Sequence, residues 1–316
     1  MFDCRICKAT INEDEIFVLE ERMYNTKQKF DYGTCSKCGC VQIAKIPDNL
    51  GSFYESDSYY SFNMGSSLIK NFIKWVFFRA ILILPFRLRV KLIMRLRKNN
   101  TALLSVLHFV SENSKILDIG CGDGLLLKLL KAIGFKNLYG MDVFLSDDRC
   151  INENHLKISN KGIDAIDEVF DFIMLHHSFE HMTDPNTDLI NISNKLNPSG
   201  QILIRVPIAP CHVHEVYGTE WVALDAPRHL YTYSVDSLTI MAKNANLEIE
   251  KIVYDSEGIQ FWGSELYKKD IPLVAALGKN IYKYFTKEEL ADFESLSREL
   301  NEKKCGDSVA VYLRRK

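Results

Sequence analysis

The chain has 316 residues, 47% of them hydrophobic and 25% charged, which suits one large or two modest globular domains with a substantial core. Its formal net charge of -2 removes any global reason to expect nucleic acid or a membrane as partner, although such a sum can hide local clusters. The opening residues, Met1-Phe2-Asp3-Cys4, carry neither the basic flank nor the apolar run of a secretory signal, so a cytoplasmic protein is expected. The nine cysteines are odd in number, and four fall in two Cys-x-x-Cys pairs. That favours metal ligands and scattered buried thiols over a disulfide framework.

Residues 1 to about 50 read as a small zinc-ribbon module. Cys4-Arg5-Ile6-Cys7 and Cys35-Ser36-Lys37-Cys38-Gly39 flank short strand-like runs such as Ile16-Phe17-Val18-Leu19. Each Cys-x-x-Cys turn aims two thiolates at one point, so Cys4, Cys7, Cys35 and Cys38 would complete a tetrahedral sulfur shell for Zn²⁺. Such a shell leaves no open position for water, so the ion would be structural. Cys40 is expected to be a spare thiol, because Cys-x-x-Cys-Gly is the better knuckle.

Residues 51–110 form an aromatic and basic segment. It opens on the tyrosine-rich run Phe53 to Phe62; from Ser58 to Ser111 it holds no acid, and Lys70, Lys74, Arg79, Arg87, Arg89, Lys91, Arg95, Arg97 and Lys98 are interleaved with large apolar residues. Arg79 and Pro85 interrupt the apolar run well short of the ~20 residues a membrane-spanning helix needs. Two readings stay open for residues 68–98. One is peripheral contact with an anionic leaflet at the inner face of the membrane; the other is a helix pair packed on the next domain with a basic outer face.

Residues 111–316 read as one domain in which strand and helix patterns alternate from Lys115 to about Ile204, predicting a doubly wound, mostly parallel sheet with helices on both faces. An apolar strand, Lys115-Ile116-Leu117-Asp118, runs into Ile119-Gly120-Cys121-Gly122-Asp123-Gly124, and Leu125 to Ala132 supplies a helix. A dinucleotide loop needs a glycine where Leu125 stands. Acids at 118 and 123 would repel a pyrophosphate but suit a sulfonium. A second strand, Asn137 to Met141, ends at Asp142, placed to accept from both ribose hydroxyls. Between Asp142 and Phe170 the chain is short and polar, so the strand and helix usual there are expected to be reduced. Phe170 to Leu175 reads as a buried strand, Asp188 to Leu196 as a helix, and Gln201 to Pro207 as the next strand.

The glycine loop resembles motif I of the class I S-adenosylmethionine-dependent methyltransferases. Glu180-His181-Met182-Thr183-Asp184-Pro185 resembles the Glu-His-x-x-Asp-Pro signature of a branch that includes quinone-biosynthesis O-methyltransferases and enzymes acting on glycans. The resemblance implies a seven-stranded, Rossmann-like form of the sheet. It also implies S-adenosyl-L-methionine as cofactor, held by Asp118, Gly120, Cys121, Gly122, Gly124, Asp142 and Val143, with His176 and His177 bordering its methionine end.

The segment from about 208 to 233 is rich in titratable and aromatic residues and leaves the carboxyl edge of a strand, where a substrate lid would sit. Trp221-Val222-Ala223-Leu224-Asp225-Ala226-Pro227-Arg228-His229-Leu230 resembles a substrate-side motif of the glycan-linked methyltransferases. Tyr217 and Trp221 could stack on a sugar face, and Arg228 could hold a phosphate or carboxylate. His229 is the first choice of base, with His176, His177 and Arg228 as further catalytic candidates and His212 and His214 as substrate contacts. A competing reading gathers His212, His214, Glu215 and His229 around a divalent metal.

These features imply methylation of a small molecule or of a lipid- or nucleotide-linked sugar in surface polysaccharide biosynthesis, with nucleic acid not expected as partner. The rival readings are an RNA methyltransferase and a non-enzymatic scaffold of a membrane glycan synthase.

Overall fold

A computed structural model of the protein describes residues 1–54, 84–96 and 101–316. Lys70, Lys74, Arg79, Arg97 and Lys98, and with them most of the segment expected at the membrane, lie outside the described residues. Among the described residues no helix is long and apolar enough to cross a membrane.

The N-terminal residues form the hairpin β1 (Phe2–Asp3) and β2 (Thr10–Ile11), then the antiparallel strands β3 (Ile16–Glu20), β4 (Lys29–Thr34) and β5 (Val41–Ile43). The two cysteine turns lie between β1 and β2 and between β4 and β5, and they close alike. The N–H of Lys8 donates to Cys4 O at 2.9 Å and that of Gly39 to Cys35 O at 2.7 Å. Both donors are left-handed, with φ of 61° and 70°. That explains the glycine after the second pair.

The central sheet begins with β6 (Lys115–Ile119) and β7 (Asn137–Met141), continues through β8 (Ile151–Glu153), β9 (Leu156–Ser159), β10 (Phe170–His176) and β11 (Leu196–Pro207), and ends with β13 (Leu247–Tyr254) and β14 (Ser308–Arg315). Their spatial order is β13-β14-β11-β10-β6-β7-β9-β8. Strands β11, β10, β6, β7 and β9 run parallel, while β14 is antiparallel to both its neighbours. The sheet therefore has eight strands where seven were expected. The extra one arises because the short polar stretch after Asp142 folds into a β8–β9 hairpin, turned at His155 with φ 72°. The strand order reverses between β6 and β10, which opens a crevice at their carboxyl ends.

Strand β12 (Tyr231–Thr232) leaves the central sheet altogether and pairs with β5, Tyr231 opposite Gln42 and Thr232 opposite Val41. It completes a four-stranded sheet in the order β12-β5-β4-β3. A hydrogen-bonded unit thus crosses from the N-terminal module into the segment read as a lid.

The helices are α1 (Phe86–Leu96), α2 (Thr101–Leu107), α3 (Leu125–Ile133), α4 (Pro185–Asn194), α5 (His212–Tyr217), α6 (Val235–Asn244), α7 (Ile259–Lys268) and α8 (Lys287–Glu302). Helix α4 starts three residues before the expected Asp188, because Asp184 caps it by accepting from the Thr187 N–H and Pro185 fits the first helical position. Helices α7 and α8 were not expected from the sequence.

The period-2 alternation of the strands divides the core. Ile116, Phe172 and Leu203 pack on one face with Leu103 of α2 and Leu127 of α3. Leu117, Ile173 and Ile204 share the other face with Val41, Tyr231 and the buried cysteines. The N-terminal module is therefore continuous with the core of the central sheet.

Candidate functional site

At the crevice lies a cavity of about 910 Å³. Gly120, Cys121, Gly122 and Asp123 line one side, with Asp142 and Val143 beside them. Gly120 has φ 76°, and a Cβ there would come within 2.4 Å of the Ser178 Cβ, so only glycine fits. Gly124 is left-handed at φ 70° and starts α3 without lining the cavity. The Asp142 carboxylate accepts from the Gly122 N–H at 2.9 Å and the Phe144 N–H at 3.0 Å, which fixes it at the cavity wall. Asp118 is buried and does not line the cavity; burial, then the Asp142 charge, pushes its carboxyl up to about 7. Phe144 also lines the wall, half exposed and stacked on Tyr54 with ring centroids 4.7 Å apart. Neither was expected at the site. Phe144 lies two residues after Asp142, but Tyr54 meets its partners only through the fold.

Opposite the loop stands a cluster centred on Glu180. His177, His181 and His229 all line the cavity. Glu180 is fully buried behind them, with His177 Nδ1 at 3.5 Å and His229 Nε2 at 3.8 Å from its Oε1. Burial alone would raise this carboxyl, yet the three histidines hold it down to about 2. The His229 Nδ1 lies 2.7 Å from the Ala223 carbonyl oxygen, which can only accept, so Nδ1 carries the proton and Nε2 presents a lone pair in the neutral ring. The His181 Nδ1 similarly lies 2.8 Å from Arg228 O. Burial, then His181, pulls the His229 pKa below the ordinary histidine value. His177 sits at φ 51°, a left-handed position held by its N–H to Arg205 O. His176 lines the cavity too, but burial pushes its pKa down to about 3, which leaves it a poor proton acceptor.

The remaining acceptor-side expectations need correction. Arg228 is buried, with its Nη2 2.9 Å from Glu21, its Nε 3.0 Å from Asp225 and its guanidinium over the Tyr24 ring, so it cannot receive a phosphate. Trp221 is fully buried and donates through Nε1 to Asp307 at 3.0 Å. Tyr217 donates to Glu265, His214 packs on Trp221, and His212 is exposed; none of these lines the cavity. The grouping of His212, His214 and Glu215 with His229 does not form. Among the described residues the metal-competent groups are the four cysteines and the set Glu180, His181 and His229. The residues after Asp225 serve instead as a wall, since Leu230 N–H donates to Glu180 O and Tyr32 Oη to His229 O.

The sulfurs of Cys4 and Cys38 are 3.6 Å apart and those of Cys7 and Cys35 3.5 Å. A tetrahedron with ~2.3 Å Zn–S bonds has edges of ~3.8 Å, so the set fits Zn²⁺. Gln42 Nε2 donates to Cys4 Sγ at 3.0 Å, and Cys40 is buried outside the set.

Residues 94–252, half of the chain, match the family model described as a methyltransferase domain. A ubiquinone biosynthesis O-methyltransferase of Rickettsia bellii is 24% identical over 153 residues, 44% of this chain and 63% of that protein. The mitochondrial ubiquinone biosynthesis O-methyltransferase of Dictyostelium discoideum is 27% identical over 120 residues, 31% of this chain and 36% of that protein. The match thus spans less than two thirds of these relatives' length. A cyclopropane synthase of Mycobacterium tuberculosis superposes on 69% of this chain and 83% of its own, with a TM-score of 0.44 at 15% identity. The matched span runs from before β6 into β13 and takes in the glycine loop, Asp142 and the Glu180 cluster, and on that ground the chain belongs to the methyltransferase-domain family.

Proposed function

We propose that the protein transfers a methyl group from S-adenosylmethionine to a hydroxyl of a small molecule, with Zn²⁺ in the cysteine cluster as a structural ion. The single observation that carries this reading is one cavity joining the Gly120–Gly122 loop and Asp142 to His177, His181 and His229. When bound, S-adenosylmethionine supplies an electrophilic methyl on a sulfonium. The loop and Asp142 orient the donor, so much of the acceleration comes from positioning, and a cavity histidine takes the acceptor proton. His177 and His229, which share Glu180, are the candidates for that proton. The relatives' printed name, O-methyltransferase, supports oxygen as the acceptor atom.

The cavity wall also bears on the acceptor. Among the described residues eight carboxylates line it, against a single arginine, Arg205, which is already paired with Asp255. A phosphate entering there would meet net repulsion, which favours a neutral, hydroxyl-rich acceptor end such as a sugar of a surface glycan, with any phosphate left outside. The same wall opposes an RNA backbone. The intact donor side argues against a scaffold that has lost its cofactor. His229→Ala is expected to lower turnover by about 10²-fold or more while S-adenosylhomocysteine affinity, measured by calorimetry, stays within a few-fold. Unchanged turnover with a verified acceptor removes His229 from the mechanism.

A further inference from the structure

We propose that Asp307 is an acceptor-binding residue, whose carboxylate accepts a hydrogen bond from a hydroxyl of the acceptor other than the one that is methylated. Its place in the chain is the first observation. Strands β13 and β14 pair as antiparallel neighbours, yet residues 255–307 run between them in place of a tight turn. That excursion carries α7 and α8 and returns to the cavity at Asp307, one residue before Ser308 pairs with Pro207 at the carboxyl end of β11. The carboxyl edge of the parallel strands is where ligands bind in such sheets.

Burial is the second observation. Among the described residues Asp118 and Asp307 are the buried aspartates, and of the two only Asp307 lines the cavity. Its neighbour Asp255 takes the Arg205 guanidinium and, at 3.0 Å, the Ser308 hydroxyl, so that charge is already neutralised within the protein. The donors to Asp307 are neutral. Burial pushes its carboxyl up to about 6, against hydrogen bonds from Trp221 Nε1 at 3.0 Å and from the Ser256 side chain. A carboxylate offers about four lone-pair positions, so two donors leave it able to accept more from a ligand. An anion there is repelled, whereas a hydroxyl supplies a donor that a buried carboxylate lacks. The third observation is His176, which lines the same cavity at the end of β10 and whose two ring nitrogens are buried with no hydrogen-bond partner among the described residues. Burial, then Arg205, keeps the ring neutral, so it presents one donor and one acceptor, the complement of a hydroxyl. A sugar ring carries several such hydroxyls, the chemistry that both side chains are short of. The role also accounts for Trp221, whose indole is too deeply buried to touch a sugar but fixes the carboxylate that does.

The inference rests on the methyl-transfer reading and names a side chain that selects its acceptor. Full-length protein saturated with S-adenosylhomocysteine is screened by saturation-transfer nuclear magnetic resonance against UDP-glucose, UDP-galactose, GDP-mannose and dTDP-rhamnose. Sugars that bind are titrated into wild type and Asp307→Asn, which keeps an oxygen for Trp221 Nε1 and loses the charge. The variant is expected to bind them about tenfold or more weakly, with S-adenosylhomocysteine affinity, measured by calorimetry, within about twofold of wild type. Among analogues of the bound sugar that each lack one hydroxyl, wild type should reject one by about tenfold, and Asp307→Asn should lose that preference. Equal sugar affinity in the two proteins overturns the proposal. So does parallel loss of sugar and S-adenosylhomocysteine by the variant, which would make Asp307 a support of the fold. A wild type that binds S-adenosylhomocysteine but none of these sugars overturns it as well. Failure of the wild type to bind S-adenosylhomocysteine strikes the methyl-transfer reading instead, and the sugar titrations of the two proteins then judge Asp307 on their own.

Discussion

Asp118 is a buried acid whose charge works against the fold. It is buried at the end of β6, where desolvation and the nearby Asp142 charge raise its pKa to about 7. A carboxyl raised in the folded state contributes stability below its unfolded pKa of about 4, and that contribution is lost as pH rises through about 7. Asp118→Asn removes the buried charge. In the ligand-free protein the variant should melt several degrees higher than wild type at pH 8, with the difference shrinking by pH 5. A pH-independent difference in melting temperature would refute this account. At the same scale, Gly120 and Asp142 were legible from spacing alone because a tight turn and a terminal acid are local requirements. Arg228 was misread because nothing in Pro227-Arg228-His229 reveals Glu21, which lies 207 residues earlier in the chain.

Among the elements, the β5–β12 pair links the cysteine cluster to the acceptor wall. The Ile43 N–H donates to Leu230 O at 3.0 Å, one residue beyond His229, and β5 begins three residues after Cys38. Emptying the cysteine cluster of its proposed Zn²⁺, by chelation or by Cys35→Ser, should release the second knuckle and with it this strand. Hydrogen exchange at the Ile43 amide is then expected to accelerate by about a hundredfold, a loss of ~3 kcal/mol in local stability. S-adenosylhomocysteine affinity should change little, since the glycine loop is anchored by the Gly120 and Cys121 N–H groups to Met141 O. Protection of Ile43 that survives metal removal would mean that the strand pair stands without the ion. Helix α8 shows a signal present but unused, because Thr286 and Glu289 form a capping box with the right spacing.

For the whole molecule, ion pairs close the contact between the N-terminal module and the segments that lie between β11 and β14. Arg22 binds Glu220, Lys27 binds Asp270, and Arg228 binds Glu21 with both groups fully buried. Glu21 in turn accepts from the N–H groups of Tyr24 and Thr26. Arg228→Ala leaves that carboxylate buried without its cation, which should cost about 3–5 kcal/mol of unfolding free energy in denaturant titration. A loss below about 1 kcal/mol would show that Glu21 is satisfied by its backbone donors alone. Because the two regions share one core, the variant should lower a single unfolding transition rather than split it in two.

By itself the sequence determined the parallel sheet, the glycine loop, the acid at the end of β7 and the grouping of four cysteines, since each follows from periodicity or from spacing within a few residues. Only the tertiary structure decided which acceptor-side residues face the cavity. Trp221, Arg228 and His229 lie within nine positions of one another, yet the first two turn inward to Asp307 and Glu21 while the third faces the cavity. That choice depends on where distant carboxylates come to rest, and burying a ring or a guanidinium is tolerable only where such a partner waits.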